Sequence, residues 1–350
     1  MKKIFKLSGF ICCIISISPV YNSPHAGHKH RLGRSCIRNM LGFILLLCSF
    51  VSCGTYKRGA AIPEETFTRD TIRTAYTEFR TGNYPLIITI PHGGKILDST
   101  LIPRTRENCP DPKFAVPYDS HTPELGELID SIVFARTGKY PYMVFMKLKR
   151  TYIDVNRELT YAVAQGSREA EQIYNVFYEK IAEAKKGITD TYGSGLLLDL
   201  HAHGHAKQEV EIGYQIPLKQ MNLSDGELNS SGLEKQSGIY NLVKTNKQNL
   251  NFAVLLRGDL SFGTLLFQYG TPCIPHSANK TPGETKYFSG GFLTRYNGSG
   301  NGGCIDAIQL EFNRDSRKEV TQRIKTAENI VSAVEKYLNL HYNLKKYTDN

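Results

Sequence analysis

The chain contains four short apolar runs with the composition of strands that are buried on both faces of a sheet. These runs are Leu86–Ile90, Tyr142–Met146, residues 196–200 and Ile305–Phe312. Continuous runs of this kind, bounded by turn residues, are typical of the parallel strands of α/β proteins. A weaker strand is predicted at residues 209–215.

Longer segments repeat apolar residues at the spacing of an amphipathic helix. They cover residues 123–135, 168–186 and 316–340, and a shorter helix is predicted near residues 237–245. The glycine-rich segment 287–303 lacks the strand–GxGxxG–helix context of a nucleotide loop, and we interpret it as a long active-site loop. At 350 residues, the chain suffices for one large α/β domain or two small ones.

The positive charge of the chain is concentrated at its N-terminus. The formal net charge is +10, but residues 1–60 contain nine Lys or Arg and no Asp or Glu, which leaves +1 for residues 61–350. Because the rest of the chain is nearly neutral, the net charge no longer supports nucleic-acid binding. We therefore expect no nucleic-acid partner.

Residues 1–53 are predicted to be an export leader rather than part of the fold. Two apolar segments, 9–20 and 41–51, each follow positive charge, and the second ends in Ser52-Cys53-Gly54. This resembles a bacterial lipoprotein signal in which Cys53 is acylated. Met40 directly precedes the second segment, so a start there would make residues 1–39 an extension. The alternative is an uncleaved membrane anchor.

The leader hypothesis predicts the remaining organisation of the chain. A tether would span residues 54–84, the folded domain residues 85–342 and a short tail residues 343–350. The expected location is the cell envelope, with the protein lipid-anchored on the periplasmic or surface-exposed side of a bacterial membrane. Beyond the leader only Cys109, Cys273 and Cys304 remain, which is no disulfide framework, although one pair could form.

Histidines follow two of the predicted strands at the point where each strand ends. His201, His203 and His205 alternate after residues 196–200, and His92 follows Leu86–Ile90. The carboxyl ends of parallel strands are where open α/β sheets bind ligands. Imidazoles gathered there favour a metal site over histidines that merely lie in polar loops or turns.

Other polar residues near the predicted strands have two interpretations each. Asp119 is a loop residue or a metal ligand. Arg150, Asn156 and Arg157 form either a surface ion-pair region or a site for a planar carboxylate, which a guanidinium can bind with two parallel hydrogen bonds. Glu311 lies inside an apolar strand, so it is either an outward-facing acid on an edge strand or a buried group with a partner or a purpose.

Four motifs together resemble the N-formylglutamate amidohydrolase family, which is distantly related to zinc carboxypeptidases and aspartoacylases. The resemblance spans residues 85–312, and its motifs occur in the family's order: Pro91-His92-Gly93-Gly94, Asp154-x-Asn156-Arg157, Leu198-Asp199-Leu200-His201 and Gln309-Leu310-Glu311. It implies an α/β fold of the zinc carboxypeptidase type, a single domain with a central mixed, mostly parallel sheet flanked by helices.

The resemblance also implies one zinc ion at the carboxyl edge of the sheet. His92 and His201 would be ligands by position. Carboxypeptidases take their acidic ligand three residues after the first histidine, where this chain has Lys95. Asp119 is therefore the expected carboxylate ligand, with Glu124 in reserve. Such a set of two imidazoles and one carboxylate leaves a position on zinc for water, as in catalytic sites.

The remaining roles follow from the same resemblance. Asn156 and Arg157 would bind a substrate carboxylate, Arg150 would polarise the scissile carbonyl, and Glu311 would be the general base. Asp199 could support the site from behind His201. The expected function is zinc-dependent hydrolysis of a linear amide bond in a small N-acyl amino acid or peptide, next to a free carboxylate. The alternative is a non-catalytic surface lipoprotein that binds an acidic small ligand or peptide.

Overall fold

The structure is a computed structural model that describes residues 67–207 and 209–345. Residues 1–66, which include the predicted leader and Cys53, lie outside the described residues, as do residue 208 and residues 346–350. The strands are β1 (Thr71–Arg73), β2 (Thr77–Arg80), β3 (Leu86–Ile90), β4 (Tyr142–Met146), β5 (Gly195–Ala202), β6 (Val210–Gly213), β7 (Cys273–Ile274) and β8 (Ile305–Phe312).

Helices follow or connect most of these strands. They are α1 (Thr122–Thr137), α2 (Leu159–Ala162), α3 (Arg168–Tyr192), α4 (Leu218–Met221), α5 (Asp225–Ser230), α6 (Tyr240–Thr245), α7 (Phe252–Arg257), α8 (Phe262–Gln268), α9 (Phe292–Asn297), α10 (Arg314–Arg317) and α11 (Val320–His341). Two short 3₁₀ helices cover Leu233–Gln236 and Ser299–Asn301.

The strands form one mixed sheet in the order β1-β2-β4-β3-β5-β8-β6-β7. The central strands β4, β3, β5 and β8 are parallel to one another, and so are β6 and β7. The pairs β1/β2, β2/β4 and β6/β8 are antiparallel. The predicted fold class, a single α/β domain with a mixed, mostly parallel sheet flanked by helices, is confirmed.

The two faces of the sheet are covered by different helices because side chains alternate along a strand. Leu196, Leu198 and Leu200 of β5 lie in one core with buried residues of α1, α7, α8 and α11. Leu197 lies in the other core, with buried residues of α3. Both faces are thus apolar, which explains why the central strands are continuous apolar runs.

Two parts of the chain differ from the expectation. Residues 71–80, predicted to lie in the tether, form β1 and β2 of the sheet, so the domain begins before residue 85. The glycine-rich segment 287–303 is not wholly a loop, because it contains α9 and a 3₁₀ turn.

Cys109, Cys273 and Cys304 are each unpaired in the described part of the chain. Within residues 67–207 and 209–345, none of the helices has the length and apolarity that a membrane crossing requires.

Candidate metal centre

The carboxyl ends of β3 and β5 bring His92 and His201 together. The two strands are paired in parallel, so the residues that follow them emerge at the same edge of the sheet. The backbone N–H of Asp119 donates to the backbone oxygen of His92 at 2.9 Å, which fixes the loop before α1 beside this edge. A Cβ on Gly94 would lie 2.3 Å from the backbone oxygen of Leu148, so only glycine permits this close turn after His92.

His92, Asp119 and His201 form a buried group that could hold a metal ion. Their candidate ligand atoms all lie within 4.8 Å of one another. Oδ2 of Asp119 is 3.5 Å from Nδ1 of His92 and 3.1 Å from Nδ1 of His201. Ligand atoms about 2.0–2.1 Å from a tetrahedral zinc are about 3.3 Å apart, so these spacings fit a single zinc ion.

The opposite ring nitrogen of each histidine contacts a buried carboxylate. Nε2 of His92 donates to Oδ1 of Asp154 at 2.7 Å, and Nε2 of His201 donates to Oδ2 of Asp199 at 3.0 Å. Each bond places the proton on Nε2 and turns Nδ1 toward Asp119. Carboxylates commonly orient metal-binding histidines in this way and increase their basicity.

Nδ1 of His92 has the surroundings expected of a metal ligand. It is buried and has no hydrogen-bond partner among the described residues. A buried nitrogen lone pair without a partner is costly unless it binds something. Because it faces the Asp119 carboxylate, as Nδ1 of His201 does, the donor set of two imidazoles and one carboxylate fits zinc.

The charges of the group are strongly coupled. Burial opposes ionisation of Asp119, but its hydrogen bond with His201 and its contact with His92 outweigh this effect and lower the pKa of Asp119. Burial likewise opposes protonation of His201, yet the charge of Asp199 and the bond to Asp119 raise the pKa of His201 well above its ordinary value. The surroundings therefore stabilise positive charge at the point where a metal cation would lie.

Asp154 joins His92 to the arginine predicted from the sequence. Asp154 is completely buried, and its Oδ2 accepts from Nε of Arg150 at 2.9 Å and lies 2.8 Å from a second nitrogen of that guanidinium. Burial opposes its ionisation, but the charges of His92 and Arg150 hold the pKa of Asp154 well below its usual range. The ion pair keeps a carboxylate against the ring of His92.

Glu311 lies in the middle of the sheet beside this group. Strand β8 lies between β5 and β6, and Glu311 is in register with His201. Burial raises the pKa of Glu311 to about 8, with the charges of Asp119, Glu211 and Asp199 adding to the rise and that of His201 opposing it. The interpretation of Glu311 as an outward-facing acid on an edge strand is therefore wrong.

Asn156 and Arg157 lie close to the group but are bound to the protein itself. Oδ1 of Asn156 accepts from the backbone N–H of Leu293 at 2.8 Å, and its Nδ2 lies 3.3 Å from Nε2 of His201. Arg157 donates to Oδ2 of Asp111 at 2.7 Å and to two backbone oxygens. Their predicted contact with a substrate carboxylate stays a prediction, as does the contact of Arg150 with a scissile carbonyl.

Several residues of the centre were not predicted from the sequence. The support of His92 by Asp154 could have been suspected, because Asp154 belongs to one of the four motifs. Arg317 follows β8 in α10, and although burial lowers its pKa, the charges of Asp119 and Glu311 act on it in the opposite direction. No sequence pattern marks Arg317. Glu124, the reserve ligand, is not part of the group.

The histidines after β5 divide into two sets. His203 and His205 do not join His201, and they lie instead with Glu211 of β6. The strand ends at Ala202, so the alternation that would have placed the three imidazoles on one face stops there.

Comparison of the chain with family models and with curated proteins finds no match. Among solved structures, the N-formylglutamate amidohydrolase from Ralstonia eutropha JMP134 is similar at 13% identity and a TM-score of 0.43, over 76% of this chain and 98% of that chain. A gene product from Agrobacterium tumefaciens is similar at 9% identity and a TM-score of 0.43, over 75% of this chain and 95% of that one. The N-acetylmuramyl-L-alanine amidase from Mycobacterium smegmatis is similar at 13% identity and a TM-score of 0.31, over 73% of this chain and 96% of that one. TM-scores this low assign neither a family nor an activity to the chain.

Proposed function

We propose that the protein is a zinc-dependent amidohydrolase that cleaves an N-acyl or peptide-type amide next to a free carboxylate. One observation carries the proposal: the Nδ1 atoms of His92 and His201 face one carboxylate, Asp119, while a buried Glu311 lies on the adjacent strand. Two imidazoles and one carboxylate beside a further carboxylate are the composition of a catalytic zinc site with its general base.

In this proposal His92, Asp119 and His201 hold the ion. When bound, zinc would lower the pKa of a water molecule to about 7 and polarise the substrate carbonyl. Asp154 and Asp199 keep the two imidazoles in the tautomer that offers Nδ1. The protein thereby presents a preorganised donor set that does not have to rearrange.

Glu311 acts as the general base and then as the general acid. It accepts a proton from the attacking water and transfers it to the nitrogen of the leaving amine. Burial raises the pKa of Glu311, which favours the return of the proton to the leaving amine. Gln309 donates to Oε1 of Glu311 at 2.9 Å and holds the carboxyl group in place.

The arginines bind two different groups of the substrate, its scissile carbonyl and its free carboxylate. Arg150 donates to the carbonyl oxygen as negative charge develops on it. Asn156 and Arg157 bind the free carboxylate of the substrate, for which Arg157 has donors beyond those used by Asp111 and the two backbone oxygens. Arg317, close to Asp119 and Glu311, is the competing candidate for this carboxylate.

The burial of Glu311 favours an enzyme over a non-catalytic binding protein. A carboxyl group with a raised pKa inside a sheet destabilises the fold at neutral pH, because the charged form is poorly solvated. A protein that only binds an acidic ligand has no use for a carboxylate at this position, whereas proton transfer requires one.

The test measures metal content and hydrolysis on the same samples. We expect the full chain to hold zinc and to hydrolyse members of a panel of N-acyl amino acids and short peptides with a free carboxylate. His201→Ala should lose the ion of this centre and the activity, while circular dichroism shows the fold retained. A folded His201→Ala protein with unchanged zinc content would refute the assignment of the centre.

We also propose that Cys53 is lipid-modified and anchors the protein at the cell envelope, because an apolar segment and small residues precede it. Labelled palmitate should enter the wild-type protein but not Cys53→Ala, and the variant should no longer need detergent for release from membranes. Release of the wild-type protein without detergent would argue against the anchor.

A further inference from the structure

A second group of metal-binding side chains lies next to the candidate metal centre. His203 and His205 follow β5, and Glu211 is in β6, where it pairs with Glu311 of β8 across the antiparallel ladder. The candidate ligand atoms of these three residues lie within 4.8 Å of one another, and two of the three residues are buried. None of the three has a role in the proposed hydrolysis.

The separations between ligand atoms in this group are similar to those around a single bound cation, one of them shorter and one longer. Oε1 of Glu211 is 2.6 Å from Nδ1 of His205 and 3.9 Å from Nδ1 of His203. Ligand atoms around a tetrahedral zinc are about 3.3 Å apart, because each lies about 2.0–2.1 Å from the ion. Shifts of less than about 1 Å in two side chains would equalise the distances.

Contacts outside the group orient two of its three ligands. Nε2 of His203 donates to the backbone oxygen of Glu209 at 2.9 Å, so the lone pair is on Nδ1, which lies 3.9 Å from Oε1 of Glu211. Nδ1 accepts from the backbone N–H of His205 at 3.1 Å, a bond that a cation would replace. Oε2 of Glu211 accepts from the backbone N–H of Phe288 at 2.7 Å, so Oε1 is the oxygen directed at the histidines. Bonds of this kind are what orients metal ligands in proteins.

The third ligand is positioned by an aromatic ring. The imidazole of His205 stacks on Phe288, with ring centroids 4.7 Å apart and an angle of 15° between the planes. Phe288 therefore contacts both Glu211 and His205. The segment after β5, strand β6 and the start of the glycine-rich segment all meet at this group.

We propose that His203, His205 and Glu211 form a second cation site that binds a zinc-type divalent ion. Two imidazoles and one carboxylate select borderline transition-metal ions over Mg²⁺ and Ca²⁺, which prefer oxygen ligands. A cation here would join the segment after β5 to β6, next to Glu311. This cation is distinct from the ion proposed to activate water, because the two groups share no ligand.

The competing interpretation is a hydrogen-bonded cluster without a metal. The short contact between His205 and Glu211 and the bond from the backbone N–H of His205 to Nδ1 of His203, 3.1 Å long, would suffice to hold the three side chains together. The two interpretations differ in the number of ions that the protein binds.

The experiment counts zinc in the full chain after removal of metal by a chelator and dialysis against zinc. Protein without a histidine tag is used, and because the leader itself contains His25, His28 and His30, the decision depends on differences between variants. We expect His205→Ala and Glu211→Gln each to bind one ion fewer than the wild type. His276→Ala, which removes a buried histidine outside both groups, is the matched control and should bind as many ions as the wild type.

The outcomes separate this inference from the proposed function. Folded His205→Ala and Glu211→Gln proteins with wild-type zinc content would overturn the second site, whereas loss of one ion in His92→Ala would still support the catalytic one. The reverse pattern would support the second site and refute the catalytic one. If His205→Ala does not fold, Glu211→Gln decides, because it keeps an oxygen for the N–H of Phe288.

Discussion

Replacing Asp154 by Asn tests the metal centre through a residue that is not itself a ligand. Oδ1 of Asp154 accepts from Nε2 of His92 at 2.7 Å, and Oδ2 is paired with Arg150. Asn has the same shape and retains one oxygen acceptor, but it carries no charge. His92 would keep its position and lose the carboxylate that makes its Nδ1 a better donor to a cation.

The expected loss of zinc affinity is about 10–100-fold, the usual effect of removing a carboxylate behind a metal-binding histidine. This corresponds to about 1.4–2.8 kcal/mol of binding free energy. The unfolding free energy should fall as well, by about 3–5 kcal/mol at most, because Arg150 would be left nearly buried without its partner. The side chain of Arg150 is 11% exposed, so some of this cost will be relieved by water.

Zinc affinity is measured by competition with a chromophoric chelator, and folding is monitored by circular dichroism on the same protein. The matched control is Asp111→Asn, which breaks an ion pair of 2.7 Å with Arg157 and contacts neither histidine. We expect the control to bind zinc as the wild type does. A folded Asp154→Asn protein that binds zinc with wild-type affinity would refute the role of Asp154 and weaken the assignment of His92.

Four further variants test the chemistry and one buried charge. Glu311→Gln should lower kcat by about 10²–10⁴ with zinc retained and KM little changed, and a wild-type kcat would exclude Glu311 as the base. Arg157→Ala should lose about 2–3 kcal/mol of substrate-binding free energy, seen as a raised KM for substrates with a free carboxylate but not for their amides. If Arg317→Ala shows this effect and Arg157→Ala does not, Arg317 binds the substrate carboxylate instead. Burial raises the pKa of Asp306 to about 6, so the stabilising protonated form is fully present below about pH 4 and is lost as the pH rises through 6. Relative to Asp306→Asn, the wild type should therefore lose about 3 kcal/mol of unfolding free energy between pH 4 and pH 8. The unfolding free energy is measured by urea denaturation at each pH, and an equal change with pH in the two proteins would contradict this prediction.

The central strands were predictable because each is a continuous apolar run in the sequence. β3, β4 and β8 have the bounds that their apolar runs indicate, since a strand buried on both faces needs apolar residues at every position. β1 has the sequence Thr-Ile-Arg and is exposed throughout, so no local pattern distinguishes it from a tether. It is a strand because it pairs with β2, a contact that the sequence of either segment does not show.

The site was predictable only as far as it depends on strand ends. His92 follows β3 and His201 lies near the end of β5, and these strands are paired in parallel, so the meeting of the two histidines at one edge of the sheet follows from the fold class. The role of Arg317 does not, because it depends on where α10 lies after β8. Nor does the bond between His92 and Asp154, since Asp154 lies 62 positions away in the sequence. The bond between His201 and Asp199 agrees with the support expected from the sequence.

The three alternating histidines show where such prediction stops. Alternation places side chains on one face only while the chain stays in a strand, and β5 ends at Ala202, between His201 and His203. His201 therefore faces Asp119, whereas His203 and His205 turn to Glu211. Because Glu211 and Glu311 are paired across β6 and β8, the two groups are neighbours along the same sheet even though they do not share a ligand. A pattern that suggests one group of three imidazoles thus produces two groups, each of imidazoles and a carboxylate, because the strand ends between His201 and His203.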